Sequence, residues 1–206
     1  MKVFHIVSHL DEEASGPSYS VPALTNGLAC NNKMDITLIH LYRGKKNCNS
    51  SKNVSLFQFH ESSFLRKLGR SKNMKRWIDN LKDDDFDIFH SHGLWMMPNI
   101  YPSDICKKYG KLHIVSPRGT LYPEALNFSK KKKLIFWNFF QKKVLKEASA
   151  FHATSLEEAN FIKILGFKQP IILSKNGIDI LSKSKKQNKG KEKILLYLGR
   201  LHQKKG

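Results

Sequence analysis

The stretch FDIFHSHGLW carries two histidines, His90 and His92, separated by one residue. In an extended segment that spacing puts both imidazoles on one face. Two imidazoles can begin a zinc site, but such a site needs three or four ligands and no third is apparent nearby. Loop histidines that donate hydrogen bonds to a polar substrate fit better; for His90, packing under the loop with Trp95 stands level with that reading. Just upstream, Asp85-Phe86-Asp87 has the carboxylate spacing that can hold a metal ion. These acids precede a strand, however, and open α/β sheets gather ligands at the carboxyl ends of their strands, so a solvated turn is the better reading.

Arg118 lies in VSPRGTLYPEAL, framed by Pro117, Gly119 and Pro123. A stiff loop that directs a permanently charged guanidinium across a strand end suits a phosphate, a carboxylate or a sugar hydroxyl. The competing reading is a structural ion pair with Glu124. Glu158 stands three residues after Ser155 at capping-box spacing, which assigns it to a helix start and leaves it a secondary functional candidate. Gly16 precedes Pro17 and an apolar stripe of Val21, Leu24 and Leu28, so backbone N–H groups at that helix start could approach an anion; an ordinary strand-to-helix turn explains the glycine equally well.

Charge narrows the partners. The 206 residues hold 36 Lys+Arg against 17 Asp+Glu, a net charge of +19, which favours an anionic partner: nucleic acid, lipid head groups or phosphorylated small molecules. No RNP1 or C2H2 pattern is present, so nucleic acid is a minority reading. Arg66, Lys67, Arg70, Lys75 and Arg76 surround a helix pattern in SSFLRKLGRSKNMKRWIDNLK, which we read as a surface for anionic membrane. The second basic pattern, SKKKKLIFWNFFQKKVLKEA, reads as an apolar stripe on the sheet with a solvated lysine face. Cys30, Cys48 and Cys106 form no CxxC pair and no disulfide framework, as expected of a reducing cytosolic compartment. The start, MKVFHIVSHLDEE, reads as a core strand rather than a signal peptide or membrane span.

The elements that must position these residues follow from periodicity. β-rich runs recur at Val3–Val7, Ile36–Leu41, Val54–Phe59, Phe86–Phe89, Leu112–Val115, Ala150–Ala153, Ile171–Leu173 and Ile194–Leu198. Stretches of helical period lie between most of them. The class is therefore α/β, a doubly wound, mainly parallel sheet with helices on both faces. A polar, lysine-rich stretch over 181–192 reads as a linker between a Rossmann-like domain, 1–180, and the strand and turn of a further domain, 193–206.

Taken in order, SGPSYSV, FDIFHSHGLW, VSPRGTLYPEAL, FHATSLEEANFI, KNGID and LGRLHQKKG resemble the family-4 retaining glycosyltransferases of GT-B fold. Within that family they are most similar to bacterial enzymes that build cell-surface polysaccharide. The resemblance implies two Rossmann-like domains facing across a cleft, of which this chain has the N-terminal, acceptor-binding one. It implies that Gly16 approaches the diphosphate of a nucleotide-sugar donor, with Arg200 and Lys205 as the basic pair that neutralises that diphosphate. It nominates His92 and Arg118 as catalytic candidates, with His90, Trp95 and Glu158 on the acceptor side. Many family members carry a histidine where this sequence has Arg118.

The implied reaction moves a sugar from a nucleoside diphosphate donor to a lipid-linked or glycan acceptor at the inner face of the plasma membrane. The implied protein is cytoplasmic and peripheral, with no metal or other cofactor and no nucleic-acid partner. Because the segment that grips the donor sugar would lie beyond Gly206, the chain alone is expected to be inactive. One alternative is a non-catalytic subunit that binds acceptor and membrane while another chain supplies the donor domain; a remoter one is a basic nucleic-acid-binding α/β protein.

Overall fold

A computed structural model describes residues 1–10, 16–31, 33–42 and 52–178. Met1–Asn176 form one compact unit and Gly177–Gly206 a second, of which Gly177 and Ile178 are described. The expected linker over 181–192, the strand Ile194–Leu198, and Arg200 and Lys205 lie outside the described residues.

The first unit is built on β1 (Lys2–His9), β2 (Asp35–Tyr42), β3 (Val54–His60), β4 (Ile88–His92), β5 (Leu112–Ser116), β6 (Ala150–Ala153) and β7 (Ile171–Leu173). They form one sheet in the order β3-β2-β1-β4-β5-β6-β7, every neighbouring pair parallel. Such an arrangement must be covered on both faces, which explains why Ile36–Leu41 and Val3–Val7 are unbroken buried runs. The order reverses direction between β1 and β4, and a crevice opens at the carboxyl ends of strands at such a switch point.

One face carries Val3, Val7, Ile36, Leu38 and Val54 beneath Val21 and Ala29 of α1 (Pro17–Ala29). The opposite face carries Phe4, Ile6, Ile39, Leu41 and Phe89 under Met74 and Ile78 of α2 (Lys72–Asp79) and Ile105 and Cys106 of α3 (Pro102–Tyr109). Further along, Val115, Phe151 and Ala153 pack with Leu145, Ala159 and Ile162. These come from α6 (Lys142–Glu147) and α7 (Leu156–Ile164).

Three boundaries differ from the sequence reading. The fourth strand runs Ile88–His92 rather than Phe86–Phe89, so His90 and His92 belong to the strand and not to the loop after it. The first basic pattern is not one helix. Leu65 and Gly69 take left-handed φ values of 59° and 64°, and a short 3-10 turn at Arg66–Leu68 precedes α2. Finally, after the short α4 (Pro123–Asn127), α5 (Lys130–Phe136) continues into α6 through a π turn at Trp137–Gln141. Each π turn adds a residue to the helix and rotates everything after it.

At the amino end of the sheet, Asp85 and Asp87 accept hydrogen bonds from the backbone N–H groups of Lys82 and Lys2, both at 2.7 Å. Asp85 thus closes the turn on Lys82 and Asp87 fastens it to β1, both acids lying exposed.

Candidate active site

The register pairs His5 of β1 with His90 of β4, and Val7 with His92. Alternation along each strand then aims His5, His90 and His92 at the same face, the one α1 covers further across the sheet. All three are buried, with His92 only 1% exposed. His152 of β6 joins them through its Nδ1, 3.2 Å from His90 Nε2. Four imidazoles thus line the carboxyl half of the sheet beside the switch point.

Arg118 orders this cluster. An arginine can only donate, so its Nη2–H donates to His92 Nδ1 at 3.1 Å. Burial first, then the charges around it, holds the His92 pKa well below 6.5, so the ring is neutral and its proton sits on Nε2. That N–H donates to His5 Nδ1 at 3.0 Å. The His5 proton is therefore on Nε2, which is buried with no protein partner. Burial, aided by the nearby Arg118 charge, lowers the His5 pKa to about 3. On the other branch His152 Nε2–H donates to the Ser174 carbonyl at 3.0 Å, so its Nδ1 accepts from His90 Nε2–H. Burial leads the lowering at His90 and at His152 too.

The third imidazole that the sequence reading did not find is His5: ligand nitrogens of His5, His90 and His92 lie within 4.8 Å of one another, close enough to hold a divalent cation. A metal at His92 Nε2 would force the proton onto Nδ1, against the Arg118 N–H. The guanidinium therefore favours hydrogen bonding over coordination there.

The loop that presents Arg118 is fixed from below. Arg118 and Gly119 both take left-handed φ, 55° and 72°, a costly conformation for arginine that its surroundings must impose. They do so through Glu158, which is 1% exposed. Its Oε1 accepts from Gly119 N–H at 2.5 Å, and its Oε2 accepts from the Thr154 N–H at 2.8 Å and hydroxyl at 3.0 Å. Ser155 caps α7 by accepting from Glu158 N–H at 3.1 Å, as the capping-box spacing predicts. Glu158 thus joins the start of α7 to the Arg118 loop, a role the spacing alone does not reveal.

The guanidinium meets Asn176 Oδ1 at 2.5 Å and Ser20 Oγ at 3.5 Å, while its Nε is buried with no protein partner. Among the described residues no carboxylate lies within ion-pair distance of it, Glu124 included. Burial lowers the Arg118 pKa and the Glu158 charge partly offsets this. Ser20 belongs to the first turn of α1, whose start is Gly16; the Gly16 carbonyl accepts from Tyr19 and Ser20 N–H, both at 3.1 Å. A Cβ at Gly16 would meet nothing within 4 Å. Ser20 of α1, Arg118 and His92 therefore meet at one place.

Trp95 stands apart from His90. It takes φ 69°, donates from its backbone N–H to Gln141 Oε1 at 3.1 Å and from Nε1 to the Thr120 carbonyl at 3.2 Å. It ties the loop after β4 to the Arg118 loop and to the π turn.

The model of glycosyltransferase family 4 matches residues 19–180. The chain belongs to glycosyltransferase family 4. Among solved structures, sucrose-phosphate synthase from Thermosynechococcus elongatus aligns with TM-score 0.62 and 12% identity, over 86% of this chain and 48% of that one. Anabaena Alr3699/HepE, solved in complex with UDP and glucose, aligns with TM-score 0.57 and 10% identity, over 87% and 45%. This family-4 chain thus spans under half the length of those two structures, and its fold is the Rossmann-like half of a GT-B glycosyltransferase. No curated protein matches it.

Proposed function

We propose that this family-4 domain forms the acceptor-side half of a retaining glycosyltransferase. The reaction moves a sugar from a nucleoside diphosphate donor to a lipid-linked or glycan acceptor during cell-surface polysaccharide synthesis, at the cytoplasmic face of the plasma membrane. The observation that carries the reading is Arg118: a largely buried cation, held in a left-handed conformation at the carboxyl end of the sheet, without a carboxylate at ion-pair distance among the described residues. Holding an unneutralised guanidinium there costs stability, and an anionic substrate group would offset that cost.

In this reading negative charge grows on the donor diphosphate as the glycosidic bond breaks, and fixed positive groups stabilise it. Arg118 and the α1 start at Gly16 supply such groups from this domain. Arginine does not exchange protons at neutral pH, so Arg118 acts electrostatically. His92, neutral and locked by its two hydrogen bonds, positions Arg118, while His90 stands behind it. Charge stabilisation by these cations leaves no step that needs a metal.

Substitution of Arg118 by methionine distinguishes this from a structural arginine. Binding of UDP-glucose or pyrophosphate, read by calorimetry, is expected to weaken by about tenfold or more, as for loss of a charged hydrogen-bonding partner. The melting temperature is expected to stay within about a few degrees, because removing an unneutralised charge offsets the hydrogen bonds lost at His92 and Asn176. Unchanged ligand binding, or a fall of many degrees in melting temperature, would assign Arg118 to the fold.

A further inference from the structure

The helical rod formed by α5, the π turn and α6 presents an apolar surface to solvent. Leu134, Ile135 and Phe139 are 58%, 61% and 74% exposed, and Phe128 just before the rod is 65% exposed. Phe136, Gln141, Val144 and Leu145 are the buried side. Leu126, Leu134, Trp137 and Leu165 line a shallow cavity of about 280 Å³ with Lys130 and Lys133, which continues the apolar surface sideways. A contiguous exposed patch of this kind marks an interaction surface.

The charges around it select the partner. From Asn127 to Lys146 the sequence has seven lysines and no acid. Lys130, Lys131 and Lys132 precede the apolar residues and Lys142 follows them, all exposed and without an ion pair among the described residues. A twofold dimer through this patch would press lysines against the same lysines, which opposes self-association. Aliphatic Leu134 and Ile135 offer nothing to nucleic-acid bases. Apolar side chains bracketed by lysines match a bilayer surface, where the former enter the acyl boundary and the latter reach anionic head groups. Among the described residues no helix is long and apolar enough to cross a membrane, so contact would be peripheral.

The basic segment singled out by sequence is less suited. Arg66 pairs with Glu61 at 3.1 Å and Lys75 with Asp79 at 2.5 Å, and the Arg70 guanidinium covers the Phe64 ring at 5.4 Å.

We propose that the α5–α6 rod is an in-plane docking surface for membranes bearing anionic lipid, with Leu134, Ile135 and Phe139 inserted and Lys130, Lys131, Lys132 and Lys142 on the head groups. The surface is separate from the Arg118 site, and vesicle binding is read without any donor, so either reading can fail while the other stands.

The test is flotation of the full chain with vesicles of phosphatidylcholine, with and without phosphatidylglycerol. Binding is expected only with phosphatidylglycerol. It should weaken by about tenfold or more in the I135S/F139S double variant, and likewise in K131Q/K132Q/K142Q, since each lysine near an anionic surface is worth about fivefold. Melting temperatures should hold because these side chains are exposed, and R66Q/R76Q should bind as the parent does. Absence of vesicle binding, binding that survives both rod variants, or binding abolished by R66Q/R76Q would overturn the proposal. So would tighter binding to RNA, or a dimer that I135S/F139S dissolves.

Discussion

Acidification from pH 7 to pH 5 is expected to strip at least about 4 kcal/mol from the stability of this domain, with no carboxylate involved. Unfolded histidine titrates near 6.5, whereas burial lowers folded His5 to about 3 and His113 to about 4. Between these values the unfolded chain binds protons that the folded chain refuses, so stability rises with pH and falls as pH drops below about 6.5. At pH 5 each of the two contributes about 2 kcal/mol of loss, by 1.36 kcal/mol per pH unit. His90, His92 and His152 are shifted in the same direction and steepen the fall. Against a usual total of about 5–15 kcal/mol, this is a large share. Urea unfolding followed by tryptophan fluorescence at several pH values measures it. A midpoint that stays level from pH 7 to pH 5 would mean that these imidazoles take up protons in place.

Replacing Glu158 by alanine is expected to cost about 3 kcal/mol and to loosen the Arg118 loop. The change leaves the N–H groups of Gly119 and Thr154 and the Thr154 hydroxyl without their acceptor, and unmet buried donors cost about 1–3 kcal/mol each before relaxation. In a domain of this size that lowers the melting temperature by about 6–12 °C. Glu158→Gln keeps the shape and one acceptor oxygen and should lose about half as much. Hydrogen exchange at the Gly119 amide should accelerate in both variants, the alanine one more. An unchanged melting temperature with unchanged exchange at Gly119 would show that the loop holds its left-handed turn without Glu158.

Much of the sheet was legible because buried parallel strands leave unbroken apolar runs, and all seven described strands overlap the runs expected. Boundaries slipped where polar residues lie inside strands. His90 and His92 end β4 although their polarity suggests a loop, since the cluster satisfies them with one another and with Arg118 rather than with water. The same disguise hid His5 and His152. The available signal was parity: His5 sits alone among apolar neighbours, and one chemical type recurs at the carboxyl ends of separate strands. Ser20, Asn176 and the loop-fixing role of Glu158 depend on contacts between distant segments, such as the pair Arg118–Asn176, 58 residues apart, which no local pattern encodes. The α5–α6 rod departed for another reason. Period counting assumes 3.6 residues per turn throughout, and the π turn at Trp137–Gln141 puts α5 and α6 out of phase, so one stripe does not run through both and Leu134, Ile135 and Phe139 stand exposed.

In the proposed function Arg118 stands ready for an anionic group at the carboxyl end of the sheet. NMR of arginine-labelled protein, with Arg118 assigned through the methionine variant, tests it directly during titration with pyrophosphate and then UDP-glucose. The Arg118 guanidinium signals should move saturably with both ligands, and His92 should keep its Nε2–H tautomer throughout. Saturable binding that leaves Arg118 unmoved, or no binding at all, would contradict it.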